Sequence, residues 1–316
     1  MSCKFKLRVL RQSAPAIALA VSLLAGQSAP AQAPAGTVEP VHRVANAAVG
    51  QTQQPTQVAA RINPPGGDTV AAAPAEGPFD LAQRPGEHPL MPALRVAEEG
   101  VKHIDANIQD YSAILRKQER IDGELQPEEI AFVKVRHQPF NVHMFFLSPH
   151  KGRECLYVPG PNGEKGILHA RDSGFRKKLG IFELDPDGRL AMAGQKYPIT
   201  KLGIRNLTTE LISVASNDVN YGECDVRTLQ TTINKRPVTV IEVVHPTPRK
   251  NFRFHKAQVF IDNELRVPIR YAAYLWPQNP GEAPPLEEVY TYTDVKINNG
   301  FTDADFDPKN PNLFKD

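Results

Sequence analysis

Two pairs of opposite charges stand out among the 316 residues: Glu119 with Arg120, and Arg153 with Glu154. Carboxylates beside guanidinium groups suit three tasks. They can move protons, hold the polar head of a ligand, or pair across strands for a fraction of a kcal/mol. With His143 added, Glu119, Arg153 and Glu154 form the set that a hydrolase or metal-dependent enzyme without a linear motif would need, if the fold brings them together. The histidines from His88 to His255 show no i, i+2 or i, i+4 pair, so no metal site is preset and no cofactor is expected. His137 and His143 are close enough in sequence to meet across a hairpin. Asp303, Asp305 and Asp307 alternate as in a calcium loop, but that loop's glycine and bidentate glutamate are missing. Past the first thirty or so residues there is no G-x-S-x-G, P-loop, GxGxxG or HExxH pattern. The glycines between Gly160 and Gly166 read as a turn between strands, because no helix pattern follows them. No catalytic residue is assigned.

A second set of residues is apolar. Val133 and Val135 alternate with Lys134 and Arg136, while Val142, Met144 and Phe146 alternate with His143 and Phe145. Val259, Ile261, Ile269 and Tyr271 extend the pattern further along the chain. Period-two alternation puts each series on one face of a strand. Such a face either fills a dry core or walls a cavity for a hydrophobic ligand, and alternation alone does not separate the two.

The N-terminus carries the three-part pattern of a secretory leader. Lys4, Lys6, Arg8 and Arg11 precede an apolar run from Ala16 to Ala25, too short to cross a bilayer, and small residues follow. Cleavage is expected after Ala31, giving a leader of residues 1–31 and an exported, periplasmic or extracellular chain. Gln27 stands where a lipoprotein signal would need cysteine, so no lipid anchor is expected. No later stretch is long and apolar enough to span a membrane. Losing the leader's four basic residues takes the net charge from +2 to −2. A chain so nearly neutral has no global attraction to nucleic acid. Cys155 and Cys224 remain after cleavage, and the sequence leaves open whether they pair. It is silent on oligomeric state.

Residues 32–87 are rich in Ala, Pro, Gln and Gly and read as a disordered linker, too poor in large apolar residues to offset the entropy of ordering. From His88 the composition changes, and residues 88–316 are long enough for one domain with a sizeable core. Leu94, Ala97, Val101, Ile104 and Ile108 fall on one helical stripe, and a second helix is expected over Thr200–Ser216. The rest reads as nine or ten strands joined by short polar turns such as Asp122-Gly123 and Asn234-Lys235-Arg236, which means antiparallel order. The expected fold is α+β: one large curved antiparallel sheet, an open half-barrel, with about two helices on its concave face.

This order of elements resembles the LolA/LolB-like fold of outer-membrane lipoprotein sorting proteins. Particular motifs resemble the DUF1571 family of exported, planctomycete-type bacterial proteins. They are Lys117-Gln118-Glu119-Arg120, Lys134-Val135-Arg136, Pro139-Phe140, Gly152-Arg153-Glu154, Tyr197-Pro198-Ile199, Val267 to Tyr271, Glu288 to Tyr292 and Asp305-Phe306-Asp307. The resemblance covers about Leu90 to Phe314. It implies a lidded apolar cavity that binds lipid or lipoprotein acyl chains without catalysis. Its apolar wall would draw on Val133, Val135, Val142, Met144, Phe146, Val259, Ile261, Ile269 and Tyr271, and its polar rim on Glu119, Arg120, Arg153 and Glu154. Two other readings stay open: the exported enzyme described above, and a structural envelope module that docks a partner.

Overall fold

The computed structural model describes residues 77–315 apart from Glu223. The expected leader and residues 32–76 of the expected linker lie outside the described residues. Residues 77–87 lie inside them, and Phe79 and Leu81 pack against the core, so packing begins ahead of the expected edge at His88. The signal was there in two large apolar side chains at the end of a polar stretch.

The chain enters α1 (Met91–Asn107), with Pro92 in the first turn, where its missing N–H costs nothing. Strands β1 (Asp110–Ile121), β2 (Glu124–Leu125), β3 (Glu129–Arg136) and β4 (Asn141–Ser148) follow. Next come β5 (Glu154–Val158), β6 (Ile167–Arg171) and β7 (Phe182–Leu184). A long connection then leads to α2 (Ile204–Asp218). The last strands are β8 (Asp225–Ile233), β9 (Arg236–Val244), β10 (Lys256–Asp262), β11 (Pro268–Tyr274) and β12 (Leu286–Ile297). Every pairing is antiparallel. The sheet runs β7-β6-β5-β4-β3-β1-β12-β11-β10-β9-β8 and stays open, with β2 paired to β1.

The expected fold class is the one found. The extra strands are β2 and β7, of two and three residues, too short to show a period. Asp122-Gly123 and Asn234-Lys235 are both left-handed at each position (φ 52 and 86, 48 and 65), the geometry that lets a two-residue turn follow the twist of its strands. Helix α2 begins later than Thr200. Gly203 holds φ 114 immediately before it, and residues 199–201 form a separate 3-10 turn.

Both helices pack on the concave face. Ile104, Ile108 and Ile204 join β1, β3 and β4 in the larger core, while Leu90, Val96, Leu207, Leu211 and Val214 cover β9 to β11. The other face is covered beside β5 by the C-terminal residues Phe306, Leu313 and Phe314, which close over Leu156. Cys155 and Cys224 are both free thiols. Burial pushes each up to about 12, which leaves both as inert thiols.

Candidate functional site

Strands β11 and β12 build the floor of the site, and β1 pairs with β12 beside them. Leu115, Lys117 and Glu119 of β1 lie opposite Tyr292, Tyr290 and Glu288 of β12. Tyr271 and Ala273 of β11 lie opposite Tyr290 and Glu288 in turn. Direct pairing puts all of these on one face, and that face looks at α2. Above it Leu207, Leu211 and Val214 supply an apolar roof, three and four residues apart. The roof does not reach the floor. A cavity of about 530 Å³ lies between them, closed at its sides by Lys196, Tyr197 and Phe254.

One wall is polar. Lys196 Nζ reaches Glu287 at 2.6 Å and Glu288 at 2.8 Å. Tyr197 donates its hydroxyl to Glu288 Oε2 at 3.1 Å. Tyr290 donates to Glu119 Oε1 at 2.5 Å, and the other oxygen of Glu119 accepts from the Lys196 N–H at 3.2 Å. Lys117 stands behind, 3.0 Å from Glu129 and 2.5 Å from the Gln195 side-chain oxygen. Burial pushes the Glu288 carboxyl up, and Lys196 and Tyr197 only partly offset it. Burial also raises the Tyr271, Tyr290 and Tyr197 phenols, which the nearby Glu288 charge raises further, so all three stay protonated donors. Burial alone would lower the Lys196 ammonium, but Glu288 and Glu287 outweigh it and hold it charged. At the mouth, Arg253 pairs with Glu210 of α2 at 2.5 Å. The charges on this wall are matched at short range, so what is left for a ligand is apolar surface, tyrosine edges and Lys201, which lines the cavity with no acidic partner among the described residues.

The apolar residues singled out by alternation divide. Val133↔Met144, Val135↔Val142 and Ala131↔Phe146 are direct partners across β3 and β4. They share one face, as their alternation requires. Val133, Val142, Met144 and Phe146 are buried in the larger core with Ile269, whereas Val135 also borders a small polar recess beside His137. Val259 and Ile261 border smaller recesses beneath α1 and α2. Tyr271 lies on the wall of the main cavity.

The charged residues divide as well. Glu119 and Arg153 border one polar recess of about 260 Å³, which Gln195 also lines. Arg120 turns to the Leu286 carbonyl and Glu287. Glu154 faces the opposite side of the sheet, where His143 Nε2 lies 2.7 Å from its Oε1 and the Phe314 N–H donates to its Oε2. Glu119, His143, Arg153 and Glu154 therefore form no common cleft. His137 does not meet His143. Its Nδ1 lies 2.8 Å from the Ile108 carbonyl. Among the described residues no three His, Cys, Asp or Glu side chains are placed to share a metal ion.

Lys196, Leu207, Leu211, Val214, Arg253 and Ala273 line the cavity without being among the residues that sequence reasoning points to. The stripe of α2 and the alternation Glu288, Tyr290, Tyr292 were available signals for part of the wall. Lys196 lies in a stretch without periodicity, and Tyr197 stands out there only through the motif Tyr197-Pro198-Ile199, which says nothing of a cavity.

The structure thus defines an α+β protein whose open antiparallel sheet and covering helix enclose a largely apolar cavity. The chain belongs to the DUF1571 family, proteins of unknown function, whose model matches residues 108–314. A comparison with curated proteins found no match. Several solved structures are similar in fold. The lipoprotein LppX of Mycobacterium tuberculosis shares 14% identity over 66% of this chain and 98% of that one, with a TM-score of 0.36. A DUF1329 family protein from Desulfovibrio piger shares 10% over 70% and 98%, with a TM-score of 0.34. A LolA superfamily protein from Nitrosomonas europaea shares 13% over 67% and 97%, with a TM-score of 0.24.

Proposed function

We propose that this is an exported cell-envelope protein that binds one hydrophobic ligand, an acyl chain of a lipid or lipoprotein, and performs no chemistry on it. The observation that carries this reading is the cavity of about 530 Å³ between α2 and strands β11 and β12. That volume falls within the roughly 300–1,000 Å³ usual for small-molecule sites. Burying about ten methylenes there contributes about 8 kcal/mol, at about 0.8 kcal/mol each, before ordering costs. Export follows from the leader pattern of residues 1–31.

The test is native mass spectrometry of protein taken from its own envelope, with lipid extraction in parallel. A bound acyl ligand is expected on the parent chain. Ala273 lines the cavity, so Ala273→Phe places a ring in empty space and should abolish the adduct while leaving the fold intact. Well-folded parent protein that flies without ligand, and takes up none from added lipid, would remove the reading. Met144→Asp is a poorer probe, because Met144 lies in the packed core and its loss reads folding instead.

A further inference from the structure

Residues 173–182, running from just after β6 into the first residue of β7, read Ser-Gly-Phe-Arg-Lys-Lys-Leu-Gly-Ile-Phe: three cations, no acid and four large apolar side chains. The structure leaves those apolar groups outside. Phe175 is 84% exposed and Leu179 67%, both on the 3-10 turn Gly174–Leu179, and Ile181 and Phe182 are exposed beside them. Leu190, on the following connection, is 76% exposed. Side chains of this size and exposure, gathered in one short segment, mark an interaction surface. The cations are available too. Lys177 and Lys178 have no acidic partner among the described residues, Lys178 Nζ lying over the Phe175 ring at 5.4 Å, and Arg176 reaches only Asp172, at 3.6 Å. The acids that follow are engaged elsewhere: Asp185 and Asp187 hold Lys165, and Glu183 faces His169 at 3.8 Å.

We infer that residues 173–182 dock the protein on an anionic phospholipid surface, with Phe175 and Leu179 entering the acyl boundary and Arg176, Lys177 and Lys178 meeting the phosphates. Two features favour a bilayer over a protein partner. Lysine is depleted in the centres of protein interfaces, whereas basic residues interleaved with Phe and Leu are the composition of segments that lie in a membrane interface. And the edge strand β7, three residues long, is too short to take up a partner's strand. The whole chain is close to neutral, so the attraction is local to this segment. The inference does not depend on the cavity holding a lipid.

Co-sedimentation of the full chain with vesicles tests it. One set is equal parts phosphatidylglycerol and phosphatidylcholine, the other phosphatidylcholine alone. Each basic side chain at an anionic surface contributes roughly fivefold to binding. Lys177→Gln/Lys178→Gln should therefore weaken binding to the anionic set on the order of 25-fold at low salt, and leave the neutral set unchanged. Phe175→Ser/Leu179→Ser should weaken binding to both. Residues 16–25 are common to all these chains, so the differences belong to the segment, and circular dichroism checks that the exposed substitutions leave the fold alone. Variants that sediment like the parent on both sets would overturn the inference. So would variants that lose self-association by analytical ultracentrifugation while vesicle binding persists, since that would assign the segment to a second copy of the chain.

Discussion

Asp218, the last residue of α2, and His245, just past β9, are both buried, with Asp218 Oδ2 3.5 Å from His245 Nε2. His245 Nδ1 lies 3.2 Å from the Phe254 carbonyl oxygen and so carries the ring proton, which leaves Nε2 as an acceptor. That nitrogen makes no hydrogen bond, and the Asp218 carboxyl stands beside it. Burial pushes the Asp218 carboxyl up to about 6, from an ordinary 3.8, and lowers His245. Between those two values the folded chain holds a proton that the unfolded chain has lost. The contribution of Asp218 to stability is thus full below 3.8 and lost as pH rises through about 6, a change of about 3 kcal/mol. Asp262 acts the other way. Burial would raise it, but Arg236 and the N–H groups of Leu265 and Glu264 outweigh that and lower it, so its contribution fades only in acid. Comparing the parent with Asp218→Asn isolates the first effect. The variant should lose the decline and equal or exceed the parent at neutral pH in urea titrations run across this window; parallel curves would contradict the assignment. None of this was legible in sequence. His245 and Asp218 carry no shared spacing, and only the end of β9 meeting the end of α2 brings them together.

Elements were more legible than sites, for a physical reason. A strand or helix half-buried against a core must repeat its apolar positions, as Val133, Val135, Val142 and Met144 do, so its pattern survives in the sequence. The connection from β7 to α2 gains its order from particular hydrogen bonds and shows no period. Yet it supplies Lys196 and Tyr197 to the cavity wall and sets where α2 begins. That start depends on one hydroxyl. The Ile204 N–H, an orphan donor of the first turn, donates to Tyr111 Oη at 3.0 Å in a fully buried position, and Gly203 passes so close that a Cβ there would meet the same oxygen at 3.2 Å. Tyr111→Phe keeps the ring and removes the acceptor. The expected cost is about 1–3 kcal/mol, the penalty for a buried unsatisfied donor. It should appear in urea unfolding and as faster amide exchange at the start of α2, the roof of the cavity. Unchanged exchange at Ile204 would show that the helix start is held by something else.

At the scale of the molecule, the order of the sheet ties the two ends of the described chain together. β1 lies at the centre, bonded to both β3 and the last strand β12. Asp110, the first residue of β1, accepts from the N–H groups of Asn299, Gly300 and Phe301 and so turns the chain beyond β12 back across the sheet. From there the chain crosses to β5, where Phe306, Leu313 and Phe314 bury Leu156 and the Phe314 N–H binds Glu154 at 2.8 Å. The charged motif Arg153-Glu154, so suggestive of chemistry in the sequence, gives Glu154 to this latch. Burial raises the Glu154 carboxyl, but His143, the Phe314 N–H and Arg171 outweigh it and hold the carboxyl low. Its contribution is therefore present above the ordinary carboxylate range and lost in acid. Removing residues 300–316 would expose Leu156 and leave His143 and Glu154 uncovered. Three buried apolar side chains at about 1.5–3 kcal/mol each are comparable to the roughly 5–15 kcal/mol that holds a domain folded. The truncated chain should therefore be unfolded or aggregated at neutral pH, while Glu154→Gln, which keeps the apolar contacts, should fold with a lower urea midpoint. Both can be read by urea unfolding and light scattering. A truncated chain with the parent's midpoint would mean that the sheet stands without its C-terminal cover, and that the buried His143–Glu154 pair must be sought another role.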